Sequence, residues 1–156
     1  MTVVTFSHRN LVILMVGAAA ACARAPRVAV SPAPDTPEAT IEQFLVAVAD
    51  TNLGRMAELW GTERGPSTVT NRSSQQVQTQ ILTIMQRLLQ SDEHRVIGSA
   101  TSQNRPNQRV LQVELLRRGR RFVVPFTMVA TRTGGWLVLQ VGLDAAMPAP
   151  AGRTSP

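Results

Sequence analysis

Lysine and tyrosine are missing from this chain, cysteine occurs once, and aromatic residues make up 4% of it. A single cysteine cannot close an internal disulfide, so the fold has to rest on side-chain packing. The lack of tyrosine removes a common catalytic acid. Histidine occurs only as His8 and His94. No group of histidines and cysteines has metal-ligand spacing, and no glycine-rich loop has the pattern that cradles phosphate. Neither a metal nor a cofactor is expected. Long apolar runs are scarce as well. The run at residues 11–21 is too short to span a bilayer core, which takes about 20 residues. The 16 basic residues are all arginine, against 10 acidic residues, for a net charge of +6. Absent lysine together with abundant alanine and valine matches a GC-rich genome, so arginine usage alone is not evidence of phosphate recognition. The charge excess can still attract anionic lipid or polysaccharide.

What the chain does have, at its start, is an export leader. His8-Arg9-Asn10 is a weakly basic head, residues 11–21 are apolar or small throughout, and Cys22 follows at once. That layout is a secretory signal. The segment Ala19-Ala20-Ala21-Cys22 resembles the lipobox of bacterial lipoproteins. The resemblance implies that Cys22 is lipidated, that residues 1–21 are removed, and that the mature protein is anchored to a membrane through its N-terminal lipid. The alternative is an ordinary signal cut at the same Ala-x-Ala site, which leaves a free thiol at Cys22. With the lipid, the chain is expected in the cell envelope, anchored on the outer side of the cytoplasmic membrane or in the outer membrane facing the periplasm. Nucleic acid is not an expected partner of an exported chain.

After the leader, residues 22–35 are the cysteine and a Pro/Ala-rich tether, and 145–156 form a tail of similar composition that is expected to be disordered. The folded unit is expected at 36–144, one domain by size. Thr36-Pro37-Glu38 opens a helix with a capping residue, a proline suited to the first position and an acid against the dipole. Ile41, Phe44, Leu45 and Val48 recur at helical spacing. A short second helix places Leu53, Met56, Leu59 and Trp60 on one side and stops at Gly61. Residues 61–72 are polar and suggest a loop. Ser73 and Gln76 form a capping-box pattern for a third helix, running to about Gln90, with Val77, Ile81, Ile84, Met85 and Leu88 inward.

From His94 the period changes to two. Strands are expected at 95–102, 108–117, 121–132 and 136–143, with turns at 104–107, 118–119 and 134–135. A two-residue turn at 118–119 pairs Leu115 with Phe122, Val113 with Val124 and Leu111 with Phe126. A two-residue turn at 134–135 pairs Ala130 with Leu139 and Met128 with Val141. The first turn pairs Ala100 with Leu111 and Val96 with Leu115. All three registers put one apolar face inward, and a slip of one residue would destroy it. Gly98 and Ala100 leave room for a helix to approach. Pro125 is expected to cause a bulge or a local loss of pairing.

The expected fold class is therefore α+β: three N-terminal helices packed on a curved four-stranded antiparallel meander. Residues 39–50 and 53–60 look like the opening helix, short turn and helix of the nuclear transport factor two-like (cystatin-like) superfamily, and Gly134-Gly135-Trp136 followed by Leu137 to Val141 looks like its closing strand. The resemblance implies a cone-like α+β roll. That superfamily includes isomerases, hydrolases and cyclases as well as non-catalytic modules, so it leaves function open. Its enzymes place an acid, a histidine or a tyrosine inside the cone.

The supply of such groups is thin. His94, between Glu93 and Arg95, is the one weak catalytic candidate. Asp50 and Glu58 suit a helix end and a surface pair with Arg55. Glu114 is expected on the opposite sheet face from Val113 and Leu115, in a cross-strand ion pair with Arg121. Arg117, Arg118, Arg120 and Arg121 surround Gly119 at a hairpin tip: either a solvated loop or an anion-contacting tip. The outer sheet face, with Val123, Val129, Trp136 and Val138, is apolar enough to meet something: a second copy of the chain, an envelope protein, or the chain's own tether or loop. Phe44, Val113, Phe126, Met128 and Leu139 line the inner face as a filled core or a small pocket. These readings favour a non-enzymatic lipoprotein that binds a ligand or partner, with a small-molecule enzyme or an envelope assembly component as alternatives.

Overall fold

The computed structural model describes residues 32–70, 75–102 and 105–147. The leader, Cys22, most of the tether, Ser73 and the end of the tail lie outside the described residues. The chain folds as α1 (Pro37–Ala49), α2 (Leu53–Leu59), β1 (Gly61–Thr62), β2 (Gly65–Pro66), α3 (Ser67–Thr70), α4 (Gln75–Leu89), β3 (Glu93–Thr101), β4 (Gln108–Arg117), β5 (Arg120–Ala130) and β6 (Trp136–Val141), closed by a 3₁₀ turn at Leu143–Ala146. It is an α+β fold with a four-stranded antiparallel sheet in the order β3-β4-β5-β6. Among the described residues no helix is long and apolar enough to cross a membrane.

The helices begin where local chemistry starts them. The Thr36 hydroxyl accepts from the Ala39 amide at 3.1 Å, and Pro37 occupies the first turn of α1. The Asn52 side chain caps α2 by accepting from the Arg55 amide at 3.0 Å. Ile41, Phe44 and Val48 from α1, Met56 and Leu59 from α2, and Leu82, Met85 and Leu89 from α4 meet Leu111, Val113, Val124, Phe126 and Met128 of the sheet in one buried cluster. Phe44 and Phe126 meet edge to face, centroids 6.4 Å apart. Burying a side chain of this size contributes about 1.5–3 kcal/mol.

Several expectations change here. On α4, Leu82, Met85 and Leu89 face the core, whereas Val77, Ile81 and Ile84 are exposed. The helix carries two adjacent apolar stripes, and spacing alone does not say which one turns inward. Residues 61–66 are not a plain loop but a small antiparallel ribbon, followed by the single helical turn α3. Packing also extends past 36–144. Pro34 accepts from the Trp136 amide at 2.8 Å, and Ala146 is buried.

The β4–β5 register is as expected, with Leu115 opposite Phe122, Val113 opposite Val124 and Leu111 opposite Phe126. The β5–β6 register is not. Ala130 pairs with Trp136 and Met128 with Val138, then an irregularity shifts the ladder so that Phe126 pairs with Val141. The turn is five residues long, 131–135, held by Thr131 N–H to Gly135 O at 2.9 Å. Gly134 and Gly135 both take positive φ, 93° and 81°. The extra residue opposite the shift is Leu139, near but not at Pro125. On β3, Val96 pairs with Val113 and Ala100 with Val110, with a shift between Val96 and Gly98. Ala100 therefore does not pair with Leu111 but is exposed opposite Val110, and Gly98 pairs with Gln112.

The two edges of the sheet differ. The β6 edge is covered: Trp60 forms a parallel bridge with Val138, its indole N–H donates to Leu139 O at 3.1 Å, and the Thr40 hydroxyl donates to Trp136 O at 3.1 Å. Such covering removes a free pairing edge. At β3 the large apolar side chains Val96 and Ile97 remain exposed.

Candidate functional site

Three chain segments converge at the β4–β5 hairpin tip. Arg118 and Gly119 form its two-residue turn with φ of 51° and 72°, the left-handed pair that a tight hairpin of this twist requires. The chain leaving α4 braces it. The Asp92 amide donates to Leu116 O at 2.7 Å, and the Asp92 carboxylate accepts from the Arg118 amide at 2.9 Å. A positive φ at a non-glycine residue is unfavourable, and this charge-assisted bond helps to hold it.

The four hairpin arginines then separate by role. Arg117 is not a solvated cation. It donates from Nη1 to Leu88 O and from Nη2 to Ala146 O, each at 3.0 Å, and its guanidinium lies 5.0 Å from the Phe122 ring centroid. It ties the end of α4 and the closing 3₁₀ turn to the sheet. Arg121 lies 2.9 Å from Glu114, whose same oxygen is 3.0 Å from Arg95. Arg118 and Arg120 remain, both exposed. With Arg87 from the last turn of α4 they line an open cleft of about 720 Å³, walled by Phe122 and Asp92. Among the described residues no carboxylate forms an ion pair with Arg87, Arg118 or Arg120. Among the described residues that line the cleft, Asp92 is the only acid, against Arg87, Arg117, Arg118 and Arg120, which leaves a net positive field suited to charge-assisted bonds with an anion.

The other candidates fall elsewhere. His94 places Nε2 at 3.0 Å from Glu42 Oε2, linking β3 to α1 at the surface. Glu114 is held by its two arginines, as the cross-strand pair with Arg121 required. Arg55 and Glu58 pair at 2.7 Å. Among the described residues no three His, Cys, Asp or Glu side chains are grouped to hold a metal. Phe44, Val113, Phe126 and Met128 are fully buried in the continuous cluster, and Leu139 is half-buried. Filled space, not a lined pocket, is what these residues make.

The outer-face group is broken up. Val123 is 43% exposed, but Val129 is 2% and Val138 0% exposed. Val138 belongs to the core cluster, and Trp136 packs against it. The reason is the longer turn at 131–135, which places Trp136 and Val138 opposite Ala130 and Met128. The apolar surface offered to a second copy or an envelope protein shrinks accordingly.

Arg87 was not singled out in the sequence. Its one signal there is a basic residue in the last turn of a helix, a place where cations are favoured for local reasons. No protein-family model matches the chain, and no curated protein sequence matches it.

Proposed function

We propose that this protein is a cell-envelope lipoprotein, anchored by a lipid on Cys22, whose domain binds an anionic partner without catalysing a reaction. The leader and lipobox-like segment support the anchor. The domain plan supports the resemblance to the nuclear transport factor two-like superfamily, with its cone-like roll: helices preceding a four-stranded meander, and a covered closing strand after Gly134-Gly135. The division into leader 1–21, tether, folded unit and tail belongs to the same reading, as does location on the outer side of the cytoplasmic membrane or in the outer membrane. The observation that carries the binding role is the convergence of Arg87, Arg118 and Arg120 on one cleft, none of them in an ion pair among the described residues and with Asp92 the one acid in the lining.

Two measurements test it. Labelled palmitate is expected to enter the protein in a bacterial host and to be lost with Cys22→Ser. Tripolyphosphate is expected to bind the purified protein in a salt-sensitive way, and the triple change Arg87→Gln, Arg118→Gln, Arg120→Gln to abolish that binding. Binding that survives the triple change removes the cleft from the reading.

A further inference from the structure

Of the eight large apolar side chains left exposed among the described residues, four belong to α4 or to the segment packed on its end: Val77, Ile81, Ile84 and Met147. The closing 3₁₀ turn packs on α4, and Arg117 holds Leu88 O and Ala146 O together, which sets Met147 beside the last turn of the helix. Val77, Ile81, Ile84 and the half-buried Leu88 follow one another at spacings of four, three and four. Those spacings keep them in one stripe, about 17 Å long at 1.5 Å per residue. Leu82, Met85 and Leu89 already supply the stripe that faces the core.

Charge on this helix is as one-sided as its apolar surface. Between Gln75 and Leu89 the polar residues are glutamine, threonine and Arg87, with no acid. Arg87 follows Ile84 by three residues and so continues its exposed side. It lines the cleft with Arg118 and Arg120, none of the three in an ion pair among the described residues. The apolar stripe therefore ends in a group of cations.

The two features side by side narrow the partner. A soluble anion uses the arginines but leaves the aliphatic stripe in water. A second copy covers the stripe but brings no acid on its own α4 to meet the arginines. A bilayer with anionic headgroups meets both, with phosphates at the arginines and the acyl boundary under the stripe. A helix with an apolar side and basic residues lies in the plane of such an interface, and α4, at 15 residues, is too short to cross it.

We propose that α4 is a membrane-docking helix. It lays Val77, Ile81 and Ile84 into the interface of an anionic lipid bilayer and sets Arg87, Arg118 and Arg120 on the headgroups, which holds the domain against the membrane surface. This names the partner of the anion-binding reading above and rests on that reading.

The test uses the full protein, produced in a bacterial host and reconstituted into vesicles that contain a phospholipid with a photoactivatable diazirine in its acyl chain. After irradiation, labelled peptides are located by mass spectrometry. In vesicles of phosphatidylcholine and phosphatidylglycerol, label is expected in the tryptic peptide 73–87, which holds Val77, Ile81 and Ile84. In phosphatidylcholine alone about tenfold less is expected, since each arginine near an anionic surface strengthens attachment about fivefold. Ile81→Gln with Ile84→Gln is expected to remove this label, with the thermal midpoint changed by no more than a few degrees because both sites are exposed. Arg118→Gln with Arg120→Gln is expected to lower it about tenfold or more, so the result does not hinge on the folding of one variant. Equal labelling of 73–87 in the two lipid mixtures, or labelling that neither variant changes, overturns the proposal. Self-association in detergent that Ile81→Gln with Ile84→Gln reverses assigns the stripe to a second copy and also overturns it. Attached protein without label in 73–87 that still binds tripolyphosphate overturns this inference alone, and loss of tripolyphosphate binding as well overturns the anion-binding reading with it. Label in 73–87 that depends on anionic lipid, in protein that does not attach to neutral vesicles, supports this inference and overturns the anchor.

Discussion

Arg117 donates from Nη1 to the main-chain oxygen of Leu88 at 3.0 Å, fastening the last turn of α4 to the hairpin beneath it. Its second donor satisfies Ala146 O, so both bonds go to carbonyls at helix ends that lack a partner within their own helix. A residue that in sequence is one of four like charges is thereby a structural tie, Arg121 is held by Glu114, and only Arg118 and Arg120 of the four remain for a ligand.

Arg117→Gln is therefore expected to cost about 2–3 kcal/mol, because charge-assisted bonds to two carbonyls are lost. Arg118→Gln is expected to stay within about 0.5 kcal/mol, as exposed substitutions do. Urea unfolding monitored by circular dichroism separates them. Equal effects at the two positions would place Arg117 among the solvated tip residues.

The sheet makes opposite demands on two valines. Val138→Asp puts a carboxylate into the core cluster without a partner, and soluble folded protein is expected to be lost. Val123→Asp sits on an exposed position and is expected to change the melting temperature by no more than a few degrees. The reverse ranking would restore the two-residue turn at 134–135.

Gly134 and Gly135 both hold positive φ, but their surroundings differ. A methyl at Gly134 meets nothing within 4 Å, whereas one at Gly135 runs into the Ala33 main chain. Gly134→Ala is expected to cost about 1 kcal/mol from backbone strain alone. Gly135→Ala is expected to cost about 3 kcal/mol, at the upper end of such strain, because the Pro34–Trp136 bond must also give way. Limited proteolysis near residue 35 is expected to accelerate only in Gly135→Ala.

Phe126 distinguishes a core from a pocket. In a filled core, Phe126→Ala costs about 3–5 kcal/mol, read as a drop in the denaturant midpoint. A ligand pocket at that place would tolerate the change with little loss of stability and would reject the core reading.

Local elements were largely legible in the sequence because their causes are local. Thr36-Pro37 announces a helix start through one capping oxygen and one preset torsion. Arg118-Gly119 announces a tight turn, and the alternation on either side then sets the β4–β5 register without help from distant residues. Glu114 and Arg121 follow from that register. The turn at 131–135 was less legible. Two glycines in a row suit a two-residue turn as well as the end of a longer one, and the choice depends on Ala33 and Pro34 packing against Gly135 and Trp136, a contact about a hundred residues apart in sequence.

The sequence by itself determined the mixed α and β character, the capped first helix and the central hairpin, because each is specified by residues within a few positions of one another. Tertiary structure alone decided which stripe of α4 is buried, that Val138 belongs to the core, and that Arg87 joins Arg118 and Arg120 while Arg117 turns inward. Those outcomes depend on which surfaces and carbonyls lie opposite a side chain once the chain has folded back on itself, and spacing along the sequence carries no record of them.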